Sequence, residues 1–372
     1  MLSRSSLFVL LIMLITAQAQ TPDVLPAPLY FIRYSDQIWR METDAATLTQ
    51  ITNEAVSVDE FDVSPLDGSL AYIRHNDLVR ADAFGRNRVV LVDGEDIPDV
   101  AHKDEDYAKW LTEQVLLPRW SPDGQQIAFA RGGINVISAD GSQPHLILPN
   151  SISEEDDAMV AFLASIEYLP IEWSPDGSRL LVQILLPPES SGLAILNRRD
   201  NSLISITNDD YGSLTCCYPS WSLDGMSVYY SIANHFFTPG LWRADATTGE
   251  SITLIDGTDE DGSYTLVADP RALSDGYLYS FATVTDSPDP NDIMQLTMYR
   301  SAPDGSELEA LRSDRYNRGH VLWAEDASGA VIEDRTIDQS PESSGQLLWL
   351  PADGSPAVSL DIGGYNLRWG KP

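Results

Sequence analysis

Short apolar runs separated by turn residues fill this chain from Leu29 onward. Leu29–Arg33 (LYFIR), Gln37–Glu42 (QIWRME) and Leu48–Thr52 (LTQIT) are the first three. Their length and their β-branched and aromatic content predict strands. Further strands are predicted at Leu70–Arg74, Asp77–Asp82 and Arg88–Val92, then late in the chain at Tyr277–Ala282, Leu296–Ala302 and Leu308–Arg312, and at Val331–Arg335, Gln346–Ala352 and Ala357–Asp361. Two stretches change period. Asp104–Val115 places Tyr107, Trp110 and Leu111 at helical spacing. Ser151–Tyr168 opens with a capping-box-like Ser153 and Asp156, then sets Val160, Leu163 and Ala164 on one face. Both predict short helices on a rim. Residues 20–28 carry three prolines and predict an extended lead-in.

One turn recurs between strands. Trp120-Ser121-Pro122-Asp123-Gly124 precedes Ile127-Ala128-Phe129, and Trp173-Ser174-Pro175-Asp176-Gly177 precedes Leu180-Leu181-Val182. Trp221-Ser222-Leu223-Asp224-Gly225 precedes Val228-Tyr229. Pro presets φ for a turn, Asp bonds the backbone two residues on, and Gly accepts positive φ. Degraded copies begin at Phe61, near Asp269 and at Trp323, and a Trp strand without a hairpin ends the chain at Trp369. These starts lie 46 to 59 residues apart by subtraction. A repeat of four short strands at that spacing predicts an all-β propeller, with seven blades favoured over six or eight. The unit at Leu29–Thr52 lacks a Trp strand and Asn366–Trp369 lacks a hairpin, so the two should pair and close the ring, leaving no free edge.

The three clean turns and the strands after them resemble the TolB-type (WSPDG-repeat) β-propeller family, and the repeat pattern covers nearly all of the chain after its first residues. That resemblance implies a propeller spanning residues 29–372. Its members include a periplasmic component that contacts a peptidoglycan-associated lipoprotein, the propellers of prolyl-oligopeptidase-like enzymes, and polygalacturonide lyases. The N-terminal α/β domain of the periplasmic component has no counterpart here, since blade-like strands start at Leu29.

Composition narrows the chemistry. A net charge of −33 disfavours nucleic acid and anionic membranes as partners. Residues 1–19 combine Arg4, the apolar run Leu7–Ile15 and Ala17-Gln18-Ala19, which predicts a signal peptide cleaved after Ala19 and export to a periplasmic or extracellular space. No later run is long enough to span a bilayer. The two cysteines, Cys216 and Cys217, are adjacent, so they could form a strained vicinal disulfide, stay reduced or bridge two chains. No Gly-x-Ser-x-Gly, His-Glu-x-x-His, Walker or Gly-x-Gly-x-x-Gly motif occurs. Asp256–Gly262 fails as a calcium loop, because Gly257 falls at the first ligand position and Ala268 at the last. Of five histidines, only His320 sits near an inner-strand start, and a channel as acidic as the whole chain would repel polygalacturonate.

Catalytic, cofactor and metal residues are therefore not assigned. The turns (Trp120, Pro122, Asp123, Gly124; Trp173, Pro175, Asp176, Gly177; Trp221, Asp224, Gly225) are assigned to scaffold. Ligand contacts are expected just before each Trp, in inter-blade links at one ring mouth: Glu60, Arg119, Glu172, Cys216, Cys217, Tyr218, Arg271, His320 and Arg368. The expected function is a monomeric, exported, non-enzymatic protein binding a protein, peptide or glycan. The alternatives are a channel-site lyase or glycoside hydrolase and a structural component of the cell envelope.

Overall fold

The computed structural model describes residues 23–33, 36–94, 113–151, 164–186, 190–206, 216–231, 240–257, 264–285, 295–335 and 345–371. They form seven four-stranded antiparallel sheets, the blades of a β-propeller. Blade 1 joins β1 (Leu29–Arg33), β2 (Gln37–Met41) and β3 (Leu48–Gln50) to the last strand, β28 (Tyr365–Trp369). Blade 2 holds β4 (Val58–Val63), β5 (Leu70–Arg74), β6 (Asp77–Ala81) and β7 (Val89–Val92). Blade 3 holds β8 (Leu116–Trp120), β9 (Gln126–Ala130), β10 (Gly133–Ser138) and β11 (His145–Pro149). Blade 4 holds β12 (Glu167–Trp173), β13 (Arg179–Leu186), β14 (Ser190–Asn197) and β15 (Leu203–Ile206). Blade 5 holds β16 (Cys216–Trp221), β17 (Ser227–Ser231), β18 (Leu241–Asp245) and β19 (Ser251–Ile255). Blade 6 holds β20 (Tyr264–Ala272), β21 (Leu278–Thr285), β22 (Thr297–Ser301) and β23 (Glu309–Ala310). Blade 7 holds β24 (Arg318–Trp323), β25 (Gly329–Asp334), β26 (Gln346–Pro351) and β27 (Val358–Gly363).

The ring closes as the unmatched ends of the repeat require. β28 pairs antiparallel with β1, Leu29 opposite Trp369 and Tyr30 opposite Arg368. The closing strand starts at Tyr365, one residue before the predicted Asn366, and the third strand of that blade stops at Gln50 rather than Thr52. The first predicted rim helix falls mostly, and the second largely, outside the described residues. Glu167 and Tyr168, counted with the second, instead begin β12.

The core lies between blades. Seven apolar clusters occur among the described residues, each spanning one pair of neighbouring blades. Leu181, Leu193 and Ile195 of blade 4, for example, pack with Trp221, Val228, Tyr230 and Trp242 of blade 5. This explains the near-continuous apolar runs of the second strands. In β5, Leu70, Ala71, Tyr72 and Ile73 are all buried, because each face of a blade meets a neighbour. Burying each large side chain contributes roughly 1.5–3 kcal/mol. In the lead-in, Leu25 is buried in the cluster between blades 7 and 1, and the Val24 and Leu25 N–H groups donate to Thr43 O.

In blades 4, 5 and 7 the Trp-turn unit fastens the blade to the one before. Trp173 Nε1 donates to Arg119 O at 3.0 Å, Trp221 Nε1 to Glu172 O at 3.2 Å and Trp323 Nε1 to Asp269 O at 2.9 Å. Within the turn, Ser121 Oγ donates to Asp123 Oδ1 at 2.6 Å and accepts Gln126 N–H, while Asp123 Oδ1 also accepts Gln125 N–H. The Asp176 and Asp224 turns repeat this. These bonds, led by the Ser hydroxyl, hold all three carboxyls below the usual range, Asp176 at about 2. Gly177 and Gly225 both take φ of 69°, and each lies against the proline of the preceding turn, Pro122 and Pro175.

Candidate ligand-binding throat

The seven inner strands, β28, β4, β8, β12, β16, β20 and β24, share a deviation that the repeat does not advertise. Each shifts register against its neighbour before or at the approach to the Trp position: between Leu116 and Arg119, Pro170 and Glu172, Ala268 and Arg271, and likewise in the other four. Such bulges twist a strand and re-aim its side chains. Leu117, Asp269 and Asn366 pass through them at φ of 52°, 49° and 51°, a region that side-chain-bearing residues seldom adopt.

Below the bulges, one register position per blade forms a belt. The hairpin bonds align Leu273 of blade 6 with Ser121, since Leu273 N–H meets Tyr277 O as Ser121 N–H meets Gln126 O. The residues before the Trp position are then Arg368, Asp62, Arg119, Glu172, Ser220, Arg271 and Leu322 in blades 1 to 7. Arg368 Nε contacts Asp62 Oδ1 at 2.9 Å, joining blades 1 and 2. Asp62 Oδ2 accepts Trp120 N–H at 2.7 Å, adding blade 3. Arg271 Nη1 contacts Glu172 Oε1 at 2.5 Å, reaching from blade 6 to blade 4. Small Ser220 lies in the blade between, its hydroxyl donating to Pro270 O at 2.6 Å. Arg119 donates from Nε to Ile171 O and from Nη1 to Pro118 O, both at 2.8 Å. Burial, and then the charge of Arg368 two blades away, disfavour its charged form. An interaction over two blades places these side chains around a common space, the throat of the ring.

Two carboxylates lie higher in the wall. Glu60 Oε2 accepts Leu117 N–H at 2.7 Å, and burial pushes its pKa up. Asp269 is 3% exposed. Arg318 Nε lies 2.8 Å from its Oδ2, but neither carboxylate oxygen has an aligned hydrogen bond. Burial raises its pKa to about 6, against the pull of Arg318.

At the strand-start mouth, Glu333 of β25 is fully buried. It accepts from Arg335 Nε and Nη2, both at 3.0 Å, and from Gly345 N–H at 2.9 Å and His320 N–H at 3.2 Å. Burial would raise its pKa, but these donors lower it. The His320 ring lies 6.4 Å from that of Tyr365, and burial lowers the His320 pKa, favouring neutral imidazole. Tyr365 is pushed up to about 12 by burial and by Asp36 and Asp59.

The expected contact residues thus divide. Arg119, Glu172, Arg271 and Arg368 come together in the belt, with Glu60 above them and His320 at the mouth. None lies in an inter-blade link; all six are inner-strand residues, because each strand runs past the bulge before it turns. Cys216, Cys217 and Tyr218 also belong to an inner strand, β16, rather than to a link; their side chains fall outside the described residues. The throat is of mixed sign, not acidic, since Arg119, Arg271, Arg318 and Arg368 converge there. The residue-by-residue reading missed Asp62, Asp269, Arg318, Glu333 and Tyr365. Aligning Val63-Ser64 with Trp120-Ser121 would have found Asp62.

Among the described residues, no group of three or more His, Cys, Asp and Glu is arranged to hold a metal ion. None of their helices is long and apolar enough to cross a membrane. A cavity of about 250 Å³ lies away from the throat, between blades 2 and 3 near the turns, lined by Arg80, Asp67, Asp82, Leu91 and Asp140 among others.

No protein-family model matches the sequence. No curated protein matches it either. Solved structures do match. An oligogalacturonate lyase from Vibrio parahaemolyticus aligns with a TM-score of 0.57 at 11% identity, over 92% of this chain and 87% of its own. A puromycin-hydrolyzing peptidase from Mycobacterium tuberculosis aligns with a TM-score of 0.54 at 12% identity, over 91% of this chain and 53% of its own, so this chain spans about half of that enzyme. TolB from Acinetobacter baumannii aligns with a TM-score of 0.46 at 12% identity, over 90% of this chain and 78% of its own. At these identities the likeness is one of fold, that of a β-propeller.

Proposed function

We propose that this protein is an exported, non-enzymatic propeller that binds a protein, peptide or glycan at the strand-start mouth of its channel. The observation that carries the reading is the cross-blade pairing of the throat charges. Arg368 with Asp62 and Arg271 with Glu172 tie five of the blades together, counting the Asp62 bond to Trp120. Carboxylates spent on arginines and backbone N–H groups serve poorly as general acids or bases, which act by exchanging protons. They serve well as the rigid wall of a binding site, where ordering costs are met before the ligand arrives. The mouth above offers an aromatic ring, a neutral imidazole and the carboxylates Asp36 and Asp59, groups suited to hydrogen bonding and cation contact. Export rests on the pattern of residues 1–19, and a mature N-terminus at Gln20 is its direct check.

Affinity capture from the native exported fraction tests the reading. The wild-type protein should enrich a partner that a Tyr365→Ala/Asp59→Asn variant does not. Equal recovery by both would contradict a mouth site. Turnover of a polysaccharide or peptide by purified protein, abolished by His320→Ala, would replace the reading with an enzymatic one.

A further inference from the structure

We propose that Arg119 is a subsite for one carboxylate, the C-terminal carboxylate of a peptide entering the throat. The inference rests on the binding reading above and adds the ligand's chemistry to it.

The belt holds three guanidinium groups and two carboxylates, and two of the guanidiniums are spent: Arg368 on Asp62 and Arg271 on Glu172. Arg119 is the remainder. No carboxylate among the described residues lies within ion-pair distance of it. Its Nε and Nη1 donate to backbone carbonyls, and its Nη2 has no partner among the described residues. Arg119 is half-buried, and a guanidinium with no salt-bridge partner and a free Nη2 keeps N–H capacity for one negative charge. Glu60 attracts Arg119 but makes no ion pair with it; its Oε2 accepts Leu117 N–H instead, and burial raises its pKa against the pull of Arg119. Asp62 and Glu172 attract Arg119 from a distance, but each is committed to another arginine. A guanidinium is shaped to present N–H groups to a carboxylate plane.

The rest of the molecule limits where that carboxylate comes from. A chain of net charge −33 repels polyanions. Asp36 and Asp59 stand beside Tyr365 at the mouth, on the approach to the belt. A uronic-acid chain would bring one charge per sugar past them. A peptide brings its single C-terminal charge to Arg119 and leaves neutral or basic residues at the mouth.

Two pools of N-acetylated random heptapeptides test this, one with free C-terminal acids and one with C-terminal amides, each captured on the purified full chain and read by mass spectrometry. Recovery from the acid pool should exceed recovery from the amide pool by about tenfold, the scale of a charge-assisted pair. Arg119→Gln should abolish the preference and Arg119→Lys should keep part of it. Equal recovery from both pools, or a preference unchanged in Arg119→Gln, would overturn the subsite while leaving mouth binding intact. Capture of digalacturonate with no peptide from either pool would overturn the peptide source. Recovery of nothing would also sink the subsite, and the native capture above decides the broader reading independently. The acid-to-amide comparison uses wild-type protein, so it stands even if Arg119→Gln fails to fold.

Discussion

Two neighbouring positions on the inner strands behave in opposite ways. The Trp position holds Trp in five of the seven blades, with Val63 and Ala272 in the other two, while the residue just before it takes five identities: Arg, Asp, Arg, Glu, Ser, Arg, Leu around the ring. The first points into the inter-blade core and the second toward the throat, because successive strand residues face opposite ways. Two residues also do both jobs. Arg119 lends its carbonyl to Trp173 and its guanidinium to the throat, and Glu172 does the same for Trp221 and Arg271. Repetition therefore marks what builds the propeller, and departure from repetition, at a fixed register, marks what distinguishes this one.

The contrast breaks most severely if the ring is opened. A chain ending at Gly364 lacks β28, and so loses Leu367 and Trp369 from the cluster between blades 7 and 1 and exposes the β1 edge. We expect a loss of more than about 4 kcal/mol, seen in chemical denaturation as a lower midpoint or a broadened transition. An unchanged midpoint would mean that closure contributes little. Next come the Trp positions. Trp173→Ala should cost about 3–5 kcal/mol. Trp120 offers an internal control: its indole N–H is buried without a partner, unlike that of Trp173. Trp173→Phe should therefore destabilise by about 1 kcal/mol more than Trp120→Phe. Equal costs would show that the cross-blade hydrogen bond adds nothing to packing.

Asp269 sharpens the comparison through pH. Its folded pKa of about 6 lies above the ordinary 3.8, so the folded state holds the proton more tightly than the unfolded one. The resulting stabilisation is complete below about pH 4 and is lost as pH rises through about 6. Wild type should gain on Asp269→Asn by about 2 kcal/mol between pH 7.5 and pH 4.5, measured as the difference in unfolding free energy. A difference that stays flat with pH would contradict the raised pKa. The belt pair should matter least to folding. Glu172 and Arg271 are 28% and 37% exposed, so a double-mutant cycle with Glu172→Gln and Arg271→Gln should return about 0.5–1 kcal/mol after solvent screening. A coupling several times larger would make the belt part of the scaffold.

The same contrast explains what was legible in the sequence. The blades, the turns and the closure are written as repeats, so Trp120, Trp173 and Trp221 announce themselves, and the opposite defects at Leu29 and Trp369 give the seam. The rule that ligand residues precede each Trp found four belt residues but put them in links, because nothing local signals the bulges. Leu117, Asp269 and Asn366 carry positive φ without the glycine that would betray it. Asp62 was hidden by Val63 standing where Trp would be. Arg318, Glu333 and Tyr365 acquire their roles through contacts between distant segments, such as the approach of Tyr365 Oη to Asp36 at 3.4 Å.

The most direct test of this division between scaffold and site measures stability and capture on one pair of variants, Arg119→Gln and Trp173→Phe. The account predicts that Arg119→Gln unfolds at nearly the wild-type midpoint and loses carboxylate-selective capture, while Trp173→Phe unfolds earlier and, when folded, captures as wild type does. The reverse pattern, with Arg119→Gln markedly destabilised and its capture unchanged, would contradict it.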